Sequence, residues 1–358
     1  MARREILPMK LPEPPPASLR LRIDRAALAA NWRALDKLSG TARAGAAVKA
    51  NAYGVGIDCA VPALLQAGAR DFFVAHWSEV APVLAHVPGE QISVLHGACN
   101  DSEAAYARAT GARPVINSLQ QAGVWLASGG GPCDLMIDTG INRLGCAPNE
   151  AGDPLIAGLE VHTLLSHLAS ADEDAASNAV QLARLAEIAR HIPHRTLSLA
   201  NSAGIALGPD YACDLTRPGI SLYGGIARPE LAGLIGQVVF PQAAVLQRRR
   251  IGAGESIGYN AIFTATEEME VATISIGYAD GFLRCRGPGT ALQHQGCELP
   301  ILGRVSMDMV VVDCTSHPSL TVGDYVEMPF ALDAEAQKSG LSQYELLTTL
   351  GHRFNREF

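Results

Sequence analysis

The chain has 358 residues, 48% of them hydrophobic and 18% charged, with a formal net charge of −8 at pH 7. That profile predicts a soluble globular protein with room for two domains and a large core, and it offers no basic face to nucleic acid. Eight cysteines lie scattered without a CxxC pair. They read as small buried hydrophobes of a reducing compartment, not as a disulfide framework or a metal centre. No apolar run reaches membrane-spanning length and no apolar signal core opens the chain, so the expected location is cytoplasmic.

Residues 1–18 carry Arg3, Arg4, Lys10 and five prolines, and read as a flexible Pro-rich arm. From 19 to 236, strand and helix patterns alternate. The β-rich runs are 45–48, 71–75, 92–96, 114–117, 135–138, 161–166, 196–200 and 215–222. The clearest helix runs from Asp174 to Arg190, opened by the capping box Ser170-x-x-Glu173. Eight units of this kind predict an α/β fold with an N-terminal (β/α)8 barrel. Residues 237–358 change character: strands at 243–247, 271–276, 292–295, 305–314 and 325–329 follow one another without helices. They predict a mainly β second domain, closed by a helical run over 341–350.

In a barrel, chemistry sits where strands end. Lys49, Asp138, His167, Asn201, Ser202 and Arg217 all fall there. A lysine closing a buried strand is costly unless its charge is removed, and a Schiff base with a carbonyl cofactor removes it. Tyr53, with Gly54 and Gly56, suits an anionic group beside it. Alone, such a lysine more often snorkels to water. Arg143, among glycine turns, presents a planar fork for a carboxylate, although a lone arginine there is more often a surface ion pair. A histidine such as His167 is usually a satisfied core residue, and so are His162 and His191. Ser202, Gly219 and Ile220 follow strands seven and eight, a recurring phosphate site in barrels.

Together these blocks resemble the alanine racemase family. The resemblance rests on Ala47-Val48-Lys49-Ala50-Asn51-Ala52-Tyr53-Gly54, on Asp138-Thr139-Gly140-Ile141-Asn142-Arg143-Leu144-Gly145, and on Ile276-Gly277-Tyr278-Ala279-Asp280-Gly281. Gly303-Arg304-Val305-Ser306-Met307-Asp308-Met309 and Gly258-Tyr259-Asn260 extend it from about residue 19 to the chain's end. It implies pyridoxal 5'-phosphate bound through Lys49 and held by Tyr53, Asn201, Ser202, Arg217, Gly219 and Ile220. It also implies racemisation of alanine by two bases, Lys49 and Tyr278, with D-alanine going to peptidoglycan. Arg143 and Met307 would hold the substrate carboxylate, with Asp308 and Tyr259 at the rim, and His167 would bond the Tyr278 phenol. Arg217, facing the cofactor's ring nitrogen without giving it a proton, implies racemase over decarboxylase. The family's head-to-tail homodimer would bring Tyr278 and Met307 from a second subunit.

Two positions depart from the family pattern. Met136 stands where many members carry a lysine, often carbamylated, that orients the arginine. Near the C-terminus, His352 aligns with a tyrosine that touches the phosphate. Three other readings stay open: a barrel-type decarboxylase of basic amino acids, which would release carbon dioxide; a non-catalytic pyridoxal-phosphate carrier, which would lack the β domain; and a broad-specificity racemase, separable by its rate on serine.

Overall fold

The computed structural model describes residue 13 and residues 15–358. Most of the expected N-terminal arm therefore lies outside the described residues. Its end is tied down: Ala244 donates its N–H to the Ser18 carbonyl at 2.8 Å, and the Tyr325 hydroxyl donates to Ala17 at 2.6 Å.

Seven parallel strands pair in chain order: Ala46–Ala47, Phe72–Val74, Ile92–Val94, Arg113–Ile116, Pro132–Met136, Glu160–Leu165 and Thr196–Ser198. Most of their residues are buried, as a parallel sheet covered by helices requires. The eighth strand, Leu215–Thr216, closes the ring. It pairs in parallel with Arg43–Ala44, just ahead of the first strand. On its other side Asp214 and Arg217 donate N–H groups to the carbonyls of Leu197 and Ala200, at 3.0 and 2.8 Å. The expected (β/α)8 barrel is present.

Local readings shift in instructive ways. The eighth strand does not reach residue 222: Pro218 has no N–H to give, and the chain turns into the 3-10 turn Ile220–Tyr223. The helix after the sixth strand spans Ala176–Ala189, its N-cap is Ala175, and the Ser170 capping box does not form. Ser170 and Glu173 close a turn with each other instead, and Asn178 donates to both of their carbonyls at 3.0 Å.

The second domain is an eight-stranded sheet built around the long strand Val239–Ile251. Both chain ends join it. Leu19–Ile23 pairs antiparallel with Val239–Ile251, and Asn355–Glu357 pairs in parallel with Leu19–Ile23. The strand Cys297–Leu302 lies between Ala291–His294 and Val310–Asp313. The run 305–314 is a strand only over Val310–Asp313; residues 305–309 form a loop. Helices Leu332–Ser339 and Gln343–Thr348 return the chain to the barrel, where Leu346, Leu347 and Leu350 join the common core. Among the described residues no helix is long and apolar enough to cross a membrane.

Candidate active site

A cavity of about 870 Å³ opens at the strand C-termini of the barrel, the volume class of a small-molecule site. Nine residues singled out from the sequence line it: Lys49, Tyr53, Arg143, His167, Asn201, Ser202, Arg217, Gly219 and Ile220.

Lys49 opens a backbone turn of unusual hand. Ala50, Asn51, Ala52 and Tyr53 all have φ near +54°, a conformation that costs an L-residue roughly 1–2 kcal/mol each. Hydrogen bonds hold it in place. Ala52 donates to Val48 at 2.8 Å, Gly54 to Ala50 at 2.9 Å, and the Asn51 side chain accepts from Ile57 at 3.0 Å. Glu79 adds a staple that the sequence reading missed. One of its carboxylate oxygens accepts the Ala50 N–H, and the other accepts those of Ala75 and His76. Its only local sign was a glutamate three residues past His76. The Lys49 amine is pushed below the usual lysine range, by burial first and by the Arg143 and Arg217 cations next; Glu79 opposes them.

Tyr53 stacks on Tyr223, centroids 4.9 Å apart, and points its hydroxyl at Gly219. A Cβ at Gly219 would collide with that hydroxyl, so the residue must be glycine for the two to converge. Ser202 completes the corner, its Oγ accepting the Gly219 N–H at 2.9 Å and the Ser221 N–H at 3.3 Å. Asn201 caps the helix Ser202–Ala206 by accepting the Gly204 N–H at 2.8 Å. A second phenol, Tyr344, enters the cavity from the C-terminal helix Gln343–Thr348. This corrects the sequence alignment: Tyr344, not His352, lines the cavity, and His352 is exposed. Serine and glutamate of a capping box, Ser342 and Glu345, fix that helix start, and the tyrosine between them was the available signal.

Among the described residues Arg217 is buried without a carboxylate partner. It donates to the Ser198 hydroxyl and to the carbonyls of Ser166 and Leu199. Burial lowers its pKa to about 10, which leaves it cationic at neutral pH. His167 is driven down to about 3, by burial first and then by Arg217, Arg143 and Lys49. In the chain by itself His167 is therefore a neutral hydrogen-bonding ring at neutral pH.

Arg143 sits on a loop organised by Asp138. The Asp138 carboxylate accepts the N–H groups of Gly140, Ile141, Asn142 and Arg143 at 2.8–3.2 Å. Gly145 lets the returning chain pass; a Cβ there would lie 2.6 Å from the Asp138 nitrogen. Asn142 takes the left-handed conformation at the tip. Among the described residues the Arg143 guanidinium has no hydrogen bond or ion pair, so no side chain takes the place of the orienting lysine there. Met136 packs against Val115 and Leu165 and offers only its apolar surface to the cavity.

Tyr278, Met307, Asp308 and Tyr259 do not line this cavity. Tyr278, Met307 and Asp308 belong to a second cluster on the β domain, and Tyr259 lies in a turn of the same domain. Tyr278 donates its N–H to Ser306 at 3.1 Å, and Ala279 donates to Met307 at 3.0 Å. Arg353 holds buried Asp280 with two nitrogens, at 2.6 and 2.8 Å, and Asp308 with a third at 2.7 Å. Met307 and Tyr259 are 53% and 74% exposed, as large apolar side chains seldom are.

Residues 23–227 match the family model for the alanine racemase N-terminal domain, and residues 238–358 that for the C-terminal domain. The chain belongs to the alanine racemase family. It is 40% identical to an alanine racemase of Acidiphilium cryptum, over 94% of this chain and 97% of that one. It is also 40% identical to an alanine racemase of Rhizobium meliloti, over 98% and 99%. A crystal structure of alanine racemase from Bartonella henselae, with covalently bound pyridoxal phosphate, superposes with a TM-score of 0.88 at 35% identity, over 96% of this chain and 99% of that one. The enzyme class expected from sequence stands: an isomerase that interconverts L- and D-alanine. The decarboxylase and broad-specificity alternatives are not favoured.

Proposed function

We propose that the protein binds pyridoxal 5'-phosphate in the barrel cavity through Lys49 and racemises alanine there, as a homodimer whose two copies share their sites. The observation that carries the cofactor is the convergence at Gly219. The Tyr53 hydroxyl, the Ser202 hydroxyl and the Gly219 backbone meet where a side chain has no room, a cradle that fits a phosphate. Tyr344 and Ile220 complete it. Lys49 lines the same cavity, its amine made available as a nucleophile by a lowered pKa.

When bound, the cofactor withdraws electrons from Cα of the attached amino acid and makes its proton removable. The residues of this chain supply the rest. The Lys49 amine, partly unprotonated through burial and neighbouring cations, takes and returns the Cα proton on one face. Arg217, a cation at neutral pH that lines the cavity, would hold the cofactor's ring nitrogen without giving it a proton and so would restrain side reactions. Arg143, its fork free of partners among the described residues, holds the substrate carboxylate. Neutral His167 donates or accepts a hydrogen bond beside them.

Proton transfer on the opposite face needs a second acid–base group, and Tyr278 is that group, contributed by a second copy. Supporting this, Tyr278, Met307 and Asp308 form one braced cluster outside the cavity of their own chain, amid exposed apolar side chains that suit an interface. Met307 would add its backbone N–H to the carboxylate site, with Asp308 and Tyr259 at the entrance. The eight unpaired cysteines suit the cytoplasm, where the D-alanine formed would serve peptidoglycan synthesis. The test is a visible spectrum with borohydride trapping at Lys49, followed by rates on L-alanine, D-alanine and serine. Failure of Lys49→Ala to lose the trapped cofactor would sink the assignment.

A further inference from the structure

The outer helix Ala176–Ala189 reaches the site through a polar face the reaction itself does not use. Asn178, Gln181 and Arg184 recur every third residue and so share one side of that helix. Gln181 is 2% exposed, and each of its amide atoms is engaged. Its Oε1 accepts the Ala169 N–H at 2.9 Å, while Nε2 donates to the His167 carbonyl at 2.9 Å and to Thr139 Oγ1 at 3.2 Å. Those partners fix which end of the amide is oxygen.

Thr139 belongs to the loop that carries Arg143. Its hydroxyl meets Ser166 Oγ at 2.7 Å, with both groups fully buried. The carbonyl of Ser166 accepts from Arg217. One turn further along the helix, Arg184 donates to the Thr139 carbonyl at 3.0 Å. A continuous buried chain thus runs from Gln181 through Thr139 and Ser166 to Arg217, with His167 attached at its start. Such a network has no slack, because any broken link leaves a buried polar atom unpaired.

We propose that Gln181 is a positioning residue for racemisation: its amide locks the His167 strand end to the Asp138–Cys146 loop, so that His167, Arg143 and Arg217 keep one mutual arrangement. The inference rests on the roles given above to those three residues. Gln181 touches neither substrate nor cofactor and acts through main-chain atoms that carry the acting side chains. Displacements well under a bond length at such residues cost rate, since a 1 Å misplacement can cost about a hundredfold.

The test compares Gln181→Leu, the isosteric Thr139→Val and the double variant with the parent enzyme. Gln181→Leu should lower kcat/KM about tenfold or more in both directions and raise KM for alanine at least about threefold. Thr139→Val should show the same split, and the double variant should be no worse than the poorer single, because both break one chain. In the cofactor-free proteins, hydrogen exchange at the Ala169 amide and across 138–146 should quicken in Gln181→Leu. The proposal is overturned if kcat/KM stays within about twofold, or if the loss equals the loss of folded protein while KM and exchange are unmoved. Arg143→Ala, measured alongside, keeps the two readings apart. If it leaves KM unchanged, the role of Arg143 falls, and the exchange rates alone decide the positioning role.

Discussion

Arg356 grips the carbonyl of Gly54 with two nitrogens, Nε at 3.0 Å and Nη2 at 2.8 Å. The last strand of the chain thereby closes on the first strand–helix junction of the barrel, at the end of the left-handed turn that begins after Lys49. Four non-glycine residues at φ near +54° would unwind without restraint. Arg356 on one side and Glu79 on the other supply it, acting on main-chain atoms at the two ends of that turn.

Arg356→Ala is therefore expected to destabilise the protein by roughly 1.5–3 kcal/mol, the range for a hydrogen bond to a charged group. It should also loosen cofactor retention. Urea unfolding of the cofactor-free protein and the rate of cofactor loss during dialysis measure the two effects. Unchanged retention in a destabilised variant would show that the turn holds its shape without the clamp.

Gly219→Ala places a methyl group against the Tyr53 hydroxyl. The variant should fold, because the site borders a cavity, yet bind pyridoxal phosphate about a hundredfold more weakly, the weight of roughly 3 kcal/mol at a crowded anion site. Tyr53→Phe, which removes one donor and keeps the stacking on Tyr223, should lose less, about tenfold. Cofactor titration by absorbance ranks them; the reverse order would mean that the phosphate lies elsewhere.

Much of this site was legible in the sequence because each block is local. Lys49, His167 and Arg217 each sit at or just past the end of a barrel strand and Arg143 on the loop that follows one, and the turn chemistry beside them (Gly54, Asp138, Pro218) is written within a few residues. Other features depend on partners far along the chain. The alternation in Leu19–Ile23 marks a strand with one face toward water, unlike the barrel strands, but only its distant partner Val239–Ile251 tells which sheet it joins. Tyr344 looks like any helix-start aromatic until Leu346 and Leu347 dock that helix on the barrel mouth. The strand Cys297–Leu302 was hidden by Pro300, which a strand interior seldom carries.

Acid sensitivity follows from His167. Burial and three cations hold its folded-state pKa at about 3, against 6.5 when unfolded. Between those values the unfolded chain binds a proton that the folded one refuses. Stability therefore rises with pH across that window and is lost as pH falls below about 6.5, with a ceiling of roughly 4–5 kcal/mol. Urea midpoints of the cofactor-free protein, taken from pH 4 to 7, should show this slope, and His167→Gln should flatten it. Equal slopes would mean that the ring gains water or moves when protonated.

Met136→Lys should fold, because one side of the residue opens on the cavity, but the new ammonium joins Arg143, Lys49 and Arg217 without an acid beside it. Destabilisation of roughly 1–3 kcal/mol is expected, partly relieved by bicarbonate if the lysine is carbamylated. Thermal denaturation with and without bicarbonate tests this. Complete failure to fold would show that the Val115–Leu165 wall is sealed from the cavity.

The proposed sharing of sites between two copies has a direct test. Lys49→Ala destroys the barrel half of a site, and Tyr278→Phe destroys the β-domain half while keeping the aromatic ring that lies 5.2 Å from the Arg284 guanidinium. Each variant alone should lose at least about a thousandfold in kcat, since one face of Cα is left without an acid–base group. Unfolded together and refolded, they form a mixed dimer in which one site carries both lesions and the other neither. Activity should return to a sizeable fraction of the parent value, and should follow the fraction of mixed dimer as the ratio of the variants changes. If each copy instead completed its own site, mixing would restore nothing. A parent enzyme fully active at the mass of a single chain would carry the same message, and Tyr278 would then have to reach the cavity of its own barrel.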